Sequence, residues 1–304
     1  MYYNAYASEM QGGKTMNVYQ IVTDRIITML EQGTIPWRRP WRTVRDMAYS
    51  RTTGRPYSLL NQLLLDKPGE YLTFKQVQDA GGRVRKGEKA KIVVFWKLLT
   101  VNGEDADPED DDGAERVPLL RYYNVFHVDQ CEGIEPKWKD EPLRDGFSPV
   151  ERAEEVAAGY LQRSGCKLDI DRRNESFYRP SIDTIFLPLR EQFETDADYY
   201  AVLFHEMGHS TGHESRLNRL AKNQGFGSEA YSKEELAAEL ADAFLMNHVG
   251  LETPDTVDQN AAYIQSWIAR LKNDNRLIVS ASSMAEKAVN LILGITDITK
   301  KEAA

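Results

Sequence analysis

Apolar residues in the first part of the chain follow a helical period and then a strand-like one. They recur at helical spacing over residues 17–33, and again within 51–65 after a Gly/Pro turn. Two later runs, 91–101 and 117–128, are rich in β-branched and aromatic residues and predict the two strands of a hairpin. We therefore expect a region of mixed helix and sheet.

The segment between these strands, residues 102–115, contains eight acidic side chains in fourteen residues. Like charges at this density repel one another and favour a solvated loop. Two other interpretations are a mimic of DNA and an autoinhibitory flap over a basic surface.

The later part of the chain is mostly helical. A helical pattern at 150–164 precedes strand-like runs at 167–171 and 177–187. The strand that ends at Pro188 is a candidate edge for an added peptide strand. Four further helical patterns follow, at 196–211, 232–248, 257–273 and 282–293.

A Pro-rich, charged stretch without periodicity separates the two parts and predicts a linker at 136–149. We expect an N-terminal α+β domain at 1–135, which includes the acidic loop, and a C-terminal domain at 150–304. The predicted fold class is α+β with two domains, each with its own core.

Composition is that of an ordinary globular protein, with 41% hydrophobic and 28% charged residues. The longest uninterrupted aliphatic and aromatic run, residues 92–96, is far too short to span a bilayer, and the N-terminus has no apolar signal region. Cys131 and Cys166 do not form a CxxC pair. These features predict a cytoplasmic protein without a membrane partner.

Charge is distributed unevenly along the chain. Residues 1–100 hold 16 Lys and Arg against 8 Asp and Glu, whereas the other 204 residues hold 22 against 39. A basic region of this kind is where a polyanionic partner is expected to bind.

The most specific motif is His205-Glu206-Met207-Gly208-His209, an HExxH pattern. On a helix, positions i and i+4 lie about 40° apart around the axis, so both imidazoles face one metal ion. We predict that His205 and His209 bind Zn²⁺, or another divalent metal, and that Glu206 acts as the general base.

The third metal ligand is expected from the segment 232–245. Its acidic residues Glu235, Glu239 and Asp242 share one face of an otherwise apolar helix. We favour Glu235 as the ligand and Glu239 as the carboxylate that holds a ligand imidazole, although the two are interchangeable at this stage. Tyr231 is a possible helper for the oxyanion. The predicted chemistry is amide hydrolysis.

Several segments together resemble ArdC-type antirestriction proteins. They include PWRRPW, TGRPYSLLNQLLL, YLTFKQVQDAGGRVRKGEKA, LFHEMGHSTGHESRLNR and FGSEAYSKEELAAELADAFL, in the order of the family and over nearly the whole chain. The resemblance implies an N-terminal domain that binds single-stranded DNA and a C-terminal zincin-like metallopeptidase domain. It also implies a role in protecting incoming conjugative plasmid DNA from host restriction.

The PWRRPWR stretch is the predicted centre of DNA binding, because single-strand binders combine cations with aromatic faces on which bases stack. The other interpretation is that its tryptophans pack beneath the first helix while its arginines stay on the surface. The predicted DNA-binding residues are Trp37, Arg38, Arg39, Trp41, Arg42, Arg55, Arg85, Lys86 and Lys89.

Two other functions remain open at this stage. One is an intracellular zinc metalloprotease whose basic domain docks a protein partner, with a host protein such as a restriction component as its substrate. The other is a DNA-binding protein in which the zinc site is not catalytic.

Overall fold

The computed structural model describes residues 17–38, 47–65, 67–100, 116–137, 148–220, 229–251 and 261–295. The acidic segment 102–115 lies outside the described residues, as do Arg39, Trp41 and Arg42 and most of the predicted linker.

The N-terminal region combines a sheet with short helices. Asn17 begins the first helix by accepting hydrogen bonds from the backbone N–H groups of Tyr19 and Gln20, and the turn after the helix contains Gly33 with a φ of +76°. The elements are α1 (Val18–Glu31), a 3-10 turn (Pro36–Arg38), β1 (Ala48–Ser50), α2 (Leu59–Leu64), β2 (Gly69–Thr73), α3 (Phe74–Asp79), β3 (Arg83–Val84), β4 (Lys91–Thr100), β5 (Arg116–His127) and β6 (Cys131–Glu132).

The predicted hairpin is confirmed. Strands β4 and β5 pair antiparallel, with Lys91 opposite Val125. They belong to a four-stranded sheet of order β1-β2-β5-β4, in which only β1 and β2 are parallel. Strands β3 and β6 form a separate two-stranded sheet.

The described part of the C-terminal region contains a small sheet and five long helices. Its elements are α4 (Pro149–Ser164), β7 (Lys167–Asp171), β8 (Phe177–Arg179), β9 (Thr184–Pro188), α5 (Asp196–Ser210), α6 (Glu229–Val249), α7 (Ala261–Asn273) and α8 (Leu277–Leu293). Among the described helices, none has both the length and the apolar character that crossing a bilayer requires.

The strand predicted at 177–187 is two strands. A turn separates them, in which Asp183 adopts a left-handed conformation with φ +48°, so β8 runs antiparallel to β9. The order of the sheet is β7-β9-β8. The expected edge role of β9 is therefore wrong: β9 is the central strand, and β8 lies at the edge.

Helices α5 and α6 pack very closely, and a glycine permits this. A Cβ added to Gly208 would lie 3.2 Å from the Cα of Ala238. The facing residues Ala237 and Ala241 are also small and buried. This contact brings the HExxH motif on α5 against the acidic residues of α6.

The main apolar core contains residues from both regions, which differs from the expected two separate cores. Helix α1 lies against α7, and α2 lies against α8. Buried residues of the N-terminal helices such as Ile26 and Leu63 therefore share one cluster with Leu240 and Ile278. Two smaller clusters lie within the N-terminal sheet region.

Trp37 belongs to this shared core, which corrects its predicted role in DNA binding. Its side chain is only 3% exposed, and its ring meets Trp267 edge-on at 6.2 Å between centroids. The neighbouring Arg38 guanidinium lies 5.3 Å from the ring centroid of Tyr263. The 3-10 turn holds both residues against α6, so they face the C-terminal region.

We expect the Trp37→Ala substitution to lower the free energy of unfolding by about 3–5 kcal/mol, because it removes a buried indole from a packed core. Urea denaturation measures this loss. Phe74→Ala is the control, because Phe74 is 53% exposed, and its cost is expected to be about 1 kcal/mol or less. Equal losses in the two variants would contradict the burial of Trp37.

Candidate metal centre

The two histidines of the HExxH motif meet at the wall of a cleft. Their Nε2 atoms are 3.1 Å apart. Carboxylate oxygens of Glu235, on α6, lie 3.8 Å from Nε2 of His205 and 3.6 Å from Nε2 of His209. One ligand atom from each of the three residues lies within 4.8 Å of the others.

These spacings suit one metal ion. Two ligand atoms held at about 2.1 Å with tetrahedral angles lie roughly 3.4 Å apart. The three observed separations, 3.1, 3.6 and 3.8 Å, are close to that value. Two imidazoles and a carboxylate are a donor set that Zn²⁺ accepts, with a fourth position left over.

The protonation state of His205 also suits a metal ligand. Burial, the neighbouring His209 and the positive charge of Arg38 lower the pKa of His205 to about 3. Its imidazole is therefore neutral at pH 7, as ligation requires.

His209 is oriented by Glu234, which is the neighbour of Glu235 on α6. The Nδ1 atom of His209 lies 3.3 Å from a carboxylate oxygen of Glu234. An Nδ1–H that donates to this carboxylate leaves the Nε2 lone pair facing the other ligands. Although burial opposes protonation of His209, the hydrogen bond to Glu234 and the nearby charges raise its pKa.

Arg219 fixes the position of the Glu234 carboxylate. Its guanidinium donates to the two carboxylate oxygens at 2.9 and 3.0 Å, and also to the carbonyl oxygen of Gly208 at 2.6 Å. Burial raises the pKa of Glu234, but the hydrogen bonds from His209 and Arg219 outweigh it and lower the pKa overall. Glu234 is thus an ionised, fixed carboxylate.

The predicted position of Glu239 is corrected by these contacts. Glu239 accepts a hydrogen bond from the hydroxyl of Tyr263, and no contact with a ligand imidazole is described for it. Helix α6 turns Glu239 towards α7, whereas Glu234 faces α5. Glu234 could not be identified from the sequence, because Glu234 and Glu239 both fit the acidic pattern of the helix. Only the packing of α6 on α5 distinguishes them.

Glu206 and Tyr231 lie with the ligands in a cleft of about 670 Å³. Glu206 is buried, and burial raises its pKa above the ordinary value. Tyr231 lies on α6 together with Glu235, and burial and the negative charge of Glu235 raise the pKa of its hydroxyl. Edge strand β8 also lines the cleft, through Phe177 and Tyr178.

Four of the basic residues predicted for DNA binding lie on the surface. Arg55, Lys86 and Lys89 are exposed. Arg85 is also exposed, and it forms an ion pair with Glu88 at 3.1 Å.

An aromatic platform on the N-terminal sheet escaped prediction. The rings of Phe95 and Tyr123 stack at 4.5 Å between centroids with 4° between their planes. Tyr123 is 54% exposed. Arg121 lies directly opposite Phe95 in the hairpin and therefore on the same face of the sheet. The alternation of side chains between the two faces of β4 and of β5 indicates which residues of each strand share a face. The register between the strands was needed to show that Phe95 and Tyr123 form a pair.

The fold and the cleft define a zincin-like protein with an added N-terminal region. Residues 154–284 match the family described as zincin-like metallopeptidase, and residues 16–126 match the N-terminal domain of the anti-restriction factor ArdC. The chain belongs to the ArdC antirestriction family.

Solved structures agree with this assignment. The metal-free crystal structure of antirestriction protein ArdC from plasmid R388 has a TM-score of 0.70 and 33% identity, and the match covers 91% of this chain and 97% of that one. The Mn(II)-bound structure of the same protein has a TM-score of 0.69 and 32% identity, over 95% and 99% of the two chains. The zincin-like domain and the Mn(II)-bound relative support a divalent metal at this fold.

Curated relatives include a protein of similar size and longer ones. The uncharacterized protein y4eC of Sinorhizobium fredii is 33% identical over 287 residues, which cover 89% of this chain and 90% of y4eC. Two Escherichia coli proteins named DNA primase TraC are 36% and 35% identical over 90% of this chain. The chain spans only 20% and 27% of the lengths of these primases.

We expect Glu234→Gln to weaken Zn²⁺ binding about 10- to 100-fold, because the ligand His209 loses its charged partner. Competition against a chromophoric chelator measures the affinity. Glu239→Gln is the matched control on the same helix, and its affinity is expected to stay within about threefold of the wild type. Equal losses in both variants would contradict the assignment of Glu234.

Proposed function

We propose that the protein is a zinc metallopeptidase that also binds single-stranded DNA, and that it protects incoming plasmid DNA from host restriction. The observation that carries the peptidase part is the convergence of His205, His209 and Glu235 beside Glu206 in an open cleft. The metal ion, when bound, supplies a Lewis acid at this point.

The protein's own groups are suited to proton transfer during amide hydrolysis. The Glu206 carboxylate accepts a proton from the attacking water and passes it to the nitrogen of the leaving amine. Its raised pKa brings it closer to the range in which a carboxylate both takes and returns a proton. The hydroxyl of Tyr231 donates a hydrogen bond to the carbonyl oxygen as negative charge develops there.

The platform of Phe95 and Tyr123 supports the DNA-binding part. One face of the sheet packs against helices through Val94 and Leu120, and the opposite face presents the stacked rings with Arg121. Bases stack on such rings, and cations near them bind phosphates. The net positive charge of residues 1–100 favours the same partner.

The antirestriction role rests on the relatives. The solved relative is named an antirestriction protein, and two longer relatives are named DNA primases. A host protein, such as a component of the restriction system, is the proposed peptide substrate.

We expect Glu206→Gln to retain metal binding but to lose at least about 100-fold in peptide cleavage, the usual contribution of a general base. Mass spectrometry of a mixed peptide library, incubated with the Zn²⁺-loaded protein, gives the rate. Glu214→Gln is the control, because Glu214 is an exposed acid outside the cleft. A wild-type protein that binds the metal and cleaves nothing would instead support a non-catalytic metal site.

We expect Tyr123→Ala to weaken binding of a single-stranded 20-mer about 5- to 100-fold, which corresponds to roughly 1–3 kcal/mol for one stacked base. Fluorescence anisotropy over a salt series measures the affinity. Tyr123→Phe should retain it, and so should Phe74→Ala, which removes an equally exposed ring elsewhere. No binding by the wild type would point to a protein partner for the basic region.

A further inference from the structure

A second cavity lies beside the cleft of the candidate metal centre. It has a volume of about 330 Å³, and Ser176, His205 and Glu206 line both spaces. A peptide whose scissile bond lies at Glu206 extends to either side of it. One of its side chains therefore faces the second cavity.

The walls of this cavity suit a long unbranched side chain. Ala201 and Val202 of α5 and Ala243 of α6 are small, and the indole of Trp37 forms another wall. Small apolar walls leave room for a methylene stem, and burial of that stem is favourable. Trp37 comes from the N-terminal region, so the cavity needs both regions of the chain.

The side chains that line the cavity include more acidic groups than cationic ones. Three carboxylates, those of Glu206, Glu239 and Asp242, face it, and Arg38 is the one cationic residue among its described lining residues. Arg38 also lies against the ring of Tyr263. The acidic side chains of the cavity therefore outnumber its cationic one, and a further cation in the cavity would favour their ionised form.

Within the described residues, one carboxyl oxygen of Asp242 lacks a hydrogen-bond partner. This oxygen, Oδ1, is buried. A buried acceptor without a partner is costly, and an incoming donor that carries a positive charge relieves that cost. Burial raises the pKa of Asp242 well above its ordinary value even though Arg38 opposes this, so the neutral carboxyl is favoured until a further cation stabilises the ionised form.

We propose that this cavity is a subsite for the arginine or lysine side chain of a peptide substrate, with Asp242 as the residue that determines specificity. This inference rests on the proposed peptidase function. It adds a class of substrate: peptides with a basic residue beside the scissile bond. The residues Trp37 and Arg38 then take part in peptide selection as walls of the subsite.

The test uses three ligands that share a metal-binding group and differ in the side chain. Arginine, citrulline and norleucine hydroxamates are titrated into the full-length, Zn²⁺-loaded protein by calorimetry. Citrulline has the shape of arginine without its charge, so this pair reports on charge alone and needs no variant. We expect arginine hydroxamate to bind at least about tenfold more tightly than citrulline hydroxamate.

The Asp242→Asn variant, which preserves the shape of the side chain, should bind arginine and citrulline hydroxamates equally, while Glu214→Gln should keep the wild-type preference. Thermal melting checks that both variants are folded. Equal binding of arginine and citrulline by the wild type, or a preference that survives Asp242→Asn, would overturn the subsite and leave the metal centre standing. If none of the three ligands binds, the metal centre fails, and the subsite fails with it.

Discussion

The structure depends on the convergence of three half-buried polar side chains at one point between α5 and α6. The Nε2 atoms of His205 and His209 lie 3.1 Å apart, with the carboxylate of Glu235 beside them. Lone pairs directed at one small volume repel one another unless a cation lies between them. The close helix contact at Gly208 favours this arrangement, because a Cβ there would lie 3.2 Å from the Cα of Ala238 and require the backbone of α6 to shift.

The same helices connect the metal centre to the N-terminal region. Trp37 and Arg38 pack against α6 and α7, and the main apolar core runs through both regions. The two domains, which match separate families, therefore share an apolar core at this interface. Conservation of both regions together in the ArdC relative, over 97% of that chain, agrees with this joint core.

Much of the fold could be predicted from the sequence, because local patterns determine it. The helical periods located α1 and α4–α8, and the HExxH spacing placed two imidazoles on one face of a helix. Glu235 followed from the acidic pattern of α6, and the structure brings it to the two histidines. The break at Asp183 was missed, because a left-handed residue that is not glycine leaves little trace in an apolar pattern.

The remaining differences arise from tertiary packing. The rotation of α6 against α5 decides that Glu234, and not Glu239, contacts His209. A tryptophan beside arginines is compatible with a stacking surface and with a buried anchor, and the packing of the 3-10 turn against α6 and α7 is what buries Trp37. The stacked pair of Phe95 and Tyr123 depends on strand register, which composition does not specify.

Anomalous diffraction at the zinc absorption edge, from crystals of the full-length protein grown with Zn²⁺, tests the metal centre most directly. We predict one strong peak about 2.0–2.2 Å from Nε2 of His205, from Nε2 of His209 and from a carboxylate oxygen of Glu235. A peak at other residues, or none at saturating Zn²⁺, would contradict the assignment of this site.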